Sequence, residues 1–252
     1  MDELKKLVVE RLVKETDPNK QIQILQEINK TILTKYVIQI GNFTIEPLWV
    51  EAYYYDQNKF PDCNTHMSDK QKNRFGQLYF HEKGRGGLDI CLSAPVPDHE
   101  DYYLSVLLKA TLLYETGKRI TDGKAFKKQT EIYDILTETG LTEQDIEKMD
   151  SVLVKSENDD IVLNAVRVNL QKPCFKDSLL ATCPLHAVLD SYNISFPSGY
   201  QKQWKCSVRA LSEISDEEKA REKANEYNNS KIENKYWELA KESLGYNSLF
   251  CL

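Results

Sequence analysis

The stretch Tyr36-Val37-Ile38-Gln39-Ile40-Gly41-Asn42-Phe43-Thr44-Ile45-Glu46-Pro47-Leu48-Trp49-Val50-Glu51-Ala52-Tyr53-Tyr54-Tyr55 decides the fold. Its first five residues alternate with period 2, Gly41-Asn42 supplies a tight turn, and the run from Phe43 to Tyr55 is long and rich in β-branched and aromatic residues. That is the pattern of a β-hairpin with an extended second strand. Immediately before it the period is 3.6. Ile22, Leu25, Ile28 and Ile32 repeat every three or four residues, and Asp17-Pro18 offers an N-cap followed by proline at the first helical position. Leu4, Leu7, Val8 and Leu12 mark an earlier amphipathic helix. Residues 1–34 therefore read as a helical segment leading into a sheet.

Downstream, a polar connection from Asp56 to Lys72 precedes two strands, Phe75 to His81 and Leu88 to Ser93. They are joined by Glu82-Lys83-Gly84-Arg85-Gly86-Gly87, which lacks the strand-to-helix setting of a nucleotide P-loop and reads as a hairpin turn. After Pro95 and Pro97, Tyr102 to Leu113 is another apolar strand whose one interior charge is Lys109. Such a lysine either sits on a solvated strand face or is paired inside a site. A helix is expected from Asp122 to Gly140 on Phe126, Ile132, Ile135 and Leu136, and a short one after the N-cap Thr142. Strands are expected at Ser151 to Lys155, Ile161 to Leu170 and Trp204 to Leu211, with 171–200 irregular. Ser215-Asp216-Glu217-Glu218 forms a capping box opening a long charged helix that ends at Gly245. The expected fold is α+β, a single domain over 1–212 with a curved, mainly antiparallel sheet flanked by helices, followed by a C-terminal charged helix and tail over 213–252.

At 252 residues, with 41% hydrophobic and 29% charged residues and ten glycines, the chain is long enough to bury a core and is unlike disordered or collagen-like sequences. A net charge of −6 argues against a surface that wraps nucleic acid as a whole. Between Ser68 and Arg85, however, five basic residues face two acidic ones. No run reaches the roughly 20 apolar residues a membrane helix needs, and the charged start is unlike a signal peptide, so a cytoplasmic protein without membrane contact is expected. The six cysteines lack a CxxC pair and read as reduced thiols. Cys183-x-x-His186 with Cys174 lacks a fourth zinc ligand, so neither metal nor cofactor is expected.

The order of these pieces resembles the alkyladenine (3-methyladenine) DNA glycosylase family. Val50-Glu51-Ala52-Tyr53 is similar to the family's V-E-x-E-A-Y strand, and Ile32-Leu33-Thr34-Lys35-Tyr36-Val37 to its L-L-G-K-x-L-V lead-in. Ser105-Val106-Leu107-Leu108-Lys109-Ala110 resembles V-L-L-R-A, and Thr121-Asp122-Gly123-Lys124 resembles the helix start N-G-P-x-K-L. Ala165-Val166-Arg167-Val168 and Trp204-Lys205 stand where the family has P-R-I-G-I and W-R-F. The resemblance runs in order from about residue 20 to 210.

It implies a monofunctional glycosylase that hydrolyses the bond between a modified base and its sugar in DNA. Glu51 would be the carboxylate that activates water and opposes positive charge on the sugar, with Lys109 at the place of a family arginine. A lysine offers one compact charge where arginine offers a planar fork. Tyr53, His66, Tyr79 and Arg85 would contact a base turned out of the stack, and Lys70, Lys72, Arg74 and Lys83 the phosphate backbone. The family's wedge tyrosine in the hairpin is replaced by Glu82-Lys83-Gly84-Arg85-Gly86, and its T-P-R-N run is missing. Two alternatives stay open: a non-catalytic module that binds a nucleotide or small nucleotide signal, or an interaction scaffold whose partner docks on the helix at 215–244.

Overall fold

The computed structural model describes residues 3–81, 87–97, 99, 101–119, 132, 134, 140–156, 158, 162–165, 167 and 180–184. The expected strand at Trp204 to Leu211, the helix at 215–244, Lys83, Arg85 and most of the helix expected at 122–140 lie outside these residues. What is described is α+β: helices packed on one curled antiparallel sheet.

The chain opens with α1 (Glu3–Lys6), which continues as a π-helical turn over Leu7–Leu12. Leu4, Val8 and Leu12 are fully buried, as their spacing predicts. Next comes α2 (Pro18–Lys35), where the Asp17 carboxylate accepts from Asn19 N at 2.9 Å and Pro18 occupies the first turn. Leu25, Ile28 and Ile32 are fully buried, so α2 covers the sheet with the stripe that the sequence marked. Asn29 on the same helix donates its Nδ2 to Leu180 O at 2.9 Å and to Thr182 Oγ1 at 3.2 Å.

The strands are β1 (Tyr36–Ile40), β2 (Phe43–Asp56), β3 (Phe60–Pro61), β4 (Leu78–Phe80), β5 (Leu88–Cys91), β6 (Tyr102–Glu115), β7 (Lys118–Arg119), β8 (Leu153–Lys155), β9 (Val162–Ala165) and β10 (Ala181–Pro184). The short α3 (Glu143–Glu147) is capped by Thr142, whose Oγ1 accepts from Asp145 N while the Asp145 side chain answers Thr142 N. The sheet order is β4-β5-β6-β2-β1-β8, with β3 and β10 also on β2, β7 on β6 and β9 on β10. Strand β2 is the spine. It pairs with β6 over its whole length, and a register shift between Pro47 and Val50 interrupts the ladder where proline can give no hydrogen bond.

Pairing opposes residues that share a face, so the sheet is two-sided by rule. Leu78, Ile90, Val106 and Ala52 form one transverse row on β4, β5, β6 and β2, all fully buried beneath the helices. Tyr79, Asp89, Leu107 and Glu51 form the adjacent row on the opposite face. The second face carries the chemistry.

Two expectations are corrected. The segment 171–200 is not irregular throughout, because Ala181–Pro184 forms β10 and pairs antiparallel with Glu51 and Val50 on β2 and with β9. The strand is too short for a period to show; β2 and Asn29 supply its partners. The reduced-thiol reading fails at Cys63, which is disulfide-bonded, whereas Cys91 is a buried free thiol. No helix among the described residues is long and apolar enough to cross a membrane.

Candidate active site

Strand β2 presents Glu51 and Tyr53 to one face and sends Ala52 and Tyr54 to the core, because successive side chains alternate. Glu51 is fully buried. Its Oε2 accepts from Tyr53 Oη at 2.9 Å and lies 3.5 Å from Lys109 Nζ. Lys109 is thus paired inside the site rather than turned to solvent, and its ammonium also lies 5.7 Å from the Trp49 ring centroid. The second carboxylate oxygen, Oε1, is buried and has no hydrogen-bond partner among the described residues. An acceptor left in that state costs stability, and such groups concentrate where chemistry needs them. A water or a sugar hydroxyl placed there would satisfy it.

Tyr53 is held by its surroundings from both sides. Burial, and then the neighbouring Glu51 charge, push its phenol well above the usual range, with Arg167 opposing the shift. It therefore remains a donor to Glu51. The Arg167 guanidinium stacks 4.7 Å from the Tyr53 centroid and pairs with Asp62 at 2.6 Å, both charges being fully buried. Arg167 Nη1 also donates to Ala52 O at 3.3 Å, on β2 between Glu51 and Tyr53.

The aromatic wall comes from the loop before the 3-10 turn Asp69–Gln71 and from β4. His66 stacks on His81 with centroids 4.9 Å apart and meets Tyr79 at 5.6 Å, while Tyr79 and His81 lie edge to face at 5.3 Å. His81 Nε2 is 3.0 Å from Asp89 Oδ1. The other oxygen of Asp89 accepts from Gln71 Nε2 at 2.9 Å and Ser105 Oγ at 2.7 Å. Gly87 makes the approach possible: at φ +153°, a Cβ there would stand 3.0 Å from His81 Cδ2 and 3.1 Å from Leu107 Cδ1.

Of the residues expected at the site, Glu51, Lys109 and Tyr53 meet directly, and His66 and Tyr79 form the wall beside His81. The expected phosphate contacts behave differently. Arg74 donates to Gln77 Oε1, Lys70 O, Leu78 O and Glu147 O, so its guanidinium ties the loop to the residues around β4 and α3. Lys72 lies over the Tyr103 ring at 5.0 Å and 3.4 Å from Asp101, and its bond to Tyr103 leads the causes that raise its ammonium above the usual range. Lys70 is exposed. Sequence reading missed His81 and Asp89. Both had a signal: His81 follows Tyr79 by two residues, and Asp89 is the interior charge of an apolar strand, as Lys109 is in its own.

No protein-family model and no curated protein matches this sequence.

Proposed function

We propose that the protein hydrolyses the N-glycosidic bond of a modified base in DNA. The observation that carries this reading is Glu51: a fully buried carboxylate with one oxygen shared by Tyr53 and Lys109 and the other unpartnered among the described residues. It lies on the same sheet face as Tyr79 of the aromatic wall. A carboxylate in that position activates water by accepting its proton and opposes the positive charge that grows on the sugar as the bond breaks. Lys109 positions Oε2 and leaves Oε1 to the water. His66, Tyr79 and Tyr53 offer π faces to a base removed from the stack.

The test is cleavage of labelled duplex and single-stranded DNA carrying alkylated or deaminated bases, with alkali to reveal abasic sites, by the wild type and Glu51→Gln. Cleavage that the variant loses supports the reading; equal cleavage by both overturns it.

A second reading has its own support. Lys72 and Arg74 are spent on contacts within the protein, which leaves fewer cations for a duplex and favours a module that holds a free nucleotide. Thermal stabilisation by nucleotides and not by duplex DNA would select this second reading.

A further inference from the structure

An amine set beside a buried carboxylate can do more than hold it in place. The ladder between β2 and β6 pairs Trp49 with Ala110 and then Val50 with Leu108, so Lys109 is an extra residue of β6 that the pairing leaves out. A bulge of this kind re-aims the side chain of the residue it leaves out. Here Nζ stands 3.5 Å from Glu51 Oε2 and 5.7 Å from the Trp49 ring centroid. The Lys109 side chain is 16% exposed and that of Glu51 0%, so the amine is the member of the pair that a ligand in the site reaches. The other lysine–carboxylate pairs among the described residues, Lys35 with Glu3 and Lys72 with Asp69 and Asp101, use carboxylates more than half exposed. Lysine, unlike arginine, can give up a proton and attack a carbonyl carbon, and a neighbouring carboxylate can take that proton.

We infer that the protein also cleaves the DNA strand at the abasic sugar, through an imine between Lys109 Nζ and C1′. This rests on the base-excision reading, because base release leaves a deoxyribose whose open-chain form carries an aldehyde at C1′. The nitrogen lone pair bonds to C1′. Two of the three ammonium protons leave with the carbonyl oxygen as water, relayed by Glu51, and the nitrogen keeps the third together with the positive charge. Glu51 then takes a proton from C2′. The electron pair of that C–H bond ends in a C2′–C3′ double bond, and the bond from C3′ to oxygen breaks with its pair on the departing phosphate ester. Water adds to C1′ and the C1′–nitrogen bond breaks, which frees an unsaturated aldehyde and returns Lys109 as an ammonium. Solvent takes the proton from Glu51.

The experiment uses the full chain and labelled DNA, duplex and single-stranded, with one preformed abasic site, beside the same strands carrying alkylated or deaminated bases. Gels are read without alkali, and parallel reactions receive sodium borohydride, which reduces an imine to a stable secondary amine joining protein to DNA. Wild type is expected to nick the abasic strand and to form the adduct, with peptide mass mapping placing it on Lys109. A tetrahydrofuran in place of the abasic sugar has no aldehyde and is expected to give neither. Lys109→Arg keeps a cation beside Glu51 but cannot form the imine, so it is expected to lose both nicking and adduct. Circular dichroism checks its fold, and the mapped wild-type adduct decides the point if it does not fold. An adduct on another residue, one that survives Lys109→Arg, or a wild type that excises bases without nicking or trapping abasic DNA would overturn this inference alone. Trapping through Lys109 by a wild type that excises no base would overturn the base-excision reading and support the lysine chemistry. Silence on every substrate would overturn both.

Discussion

Arg167 and Tyr53 are stacked, with the guanidinium carbon 4.7 Å from the ring centroid, and Arg167 is fixed in that position by Asp62 at 2.6 Å. The contact joins the loop around 62 to β2 at the residue that donates to Glu51. A buried ion pair is worth little against an apolar pair of equal volume, but removing one partner strands the other. Arg167→Ala should therefore cost about 3–5 kcal/mol, read as a lower urea midpoint. The double variant Arg167→Met with Asp62→Leu should recover most of that loss while catalysis stays impaired, because Tyr53 has lost its backing. Full activity in the folded double variant would show that Tyr53 needs no such support.

Glu51→Gln should separate stability from activity. The amide keeps the shape and removes a buried charge whose Oε1 is unpartnered among the described residues, but it also takes the counter-charge from Lys109, so the two effects oppose each other and the melting temperature should change little. Base release should fall by roughly 10²–10⁴-fold. A variant that is both active and less stable would make Glu51 a structural residue.

Alkaline stability should be set by buried tyrosines. Burial pushes the Tyr102 phenol up to about 12, and burial with the Asp56 charge pushes Tyr54 higher, while Tyr53 is also raised. These groups stay protonated in the folded chain where the unfolded chain releases its protons, near pH 10. A raised folded value means that stability is intact below about pH 10 and falls as pH climbs from there. Tyr102 alone accounts for about 2–3 kcal/mol by pH 12. Phenolate absorbance near 295 nm checks it: a set of tyrosines should titrate only together with unfolding.

Gly76 and Gly117 offer a controlled pair, since both have positive φ, +81° and +78°. A Cβ at Gly76 would stand 2.2 Å from Ser151 Oγ and 2.7 Å from its Cβ, whereas at Gly117 nothing lies within 4 Å. Gly117→Ala should cost about 1 kcal/mol for the backbone alone. Gly76→Ala should cost clearly more, and pairing it with Ser151→Gly should return it towards the Gly117 value in chemical denaturation.

The thiols can be told apart chemically. Cys63 is disulfide-bonded, and Cys91 is a free thiol whose value burial raises first and the Asp89 charge second. Non-reducing peptide mapping should recover Cys63 in a cross-linked peptide. Cys91 should react with a thiol reagent only after denaturation. Labelling of Cys63 in the unreduced native protein would remove the bond.

Elements whose signal is local can be read from the chain alone. The 3.6 period of Ile28 and Ile32, the cap at Asp17-Pro18, the turn at Gly41-Asn42 and the alternation through Glu51 and Tyr53 are carried by neighbours in the chain, and they placed α2, β1 and β2. Lys109 was also visible as the charge set in an apolar strand, and Glu51 through the resemblance that Val50-Glu51-Ala52-Tyr53 carries. The site itself depends on pairing across long separations. The register of β2 on β6 brings Lys109 to Glu51, and that of β4, β5 and β6 lines Tyr79 and Asp89 along the same row. Ala181–Pro184 is a strand because β2 and β9 offer it ladders, and Arg74 is turned inward by carbonyls that no local pattern reveals. The physical reason is that a strand's face is fixed by its own alternation, whereas its partner is fixed by hydrogen bonds to residues far away in sequence.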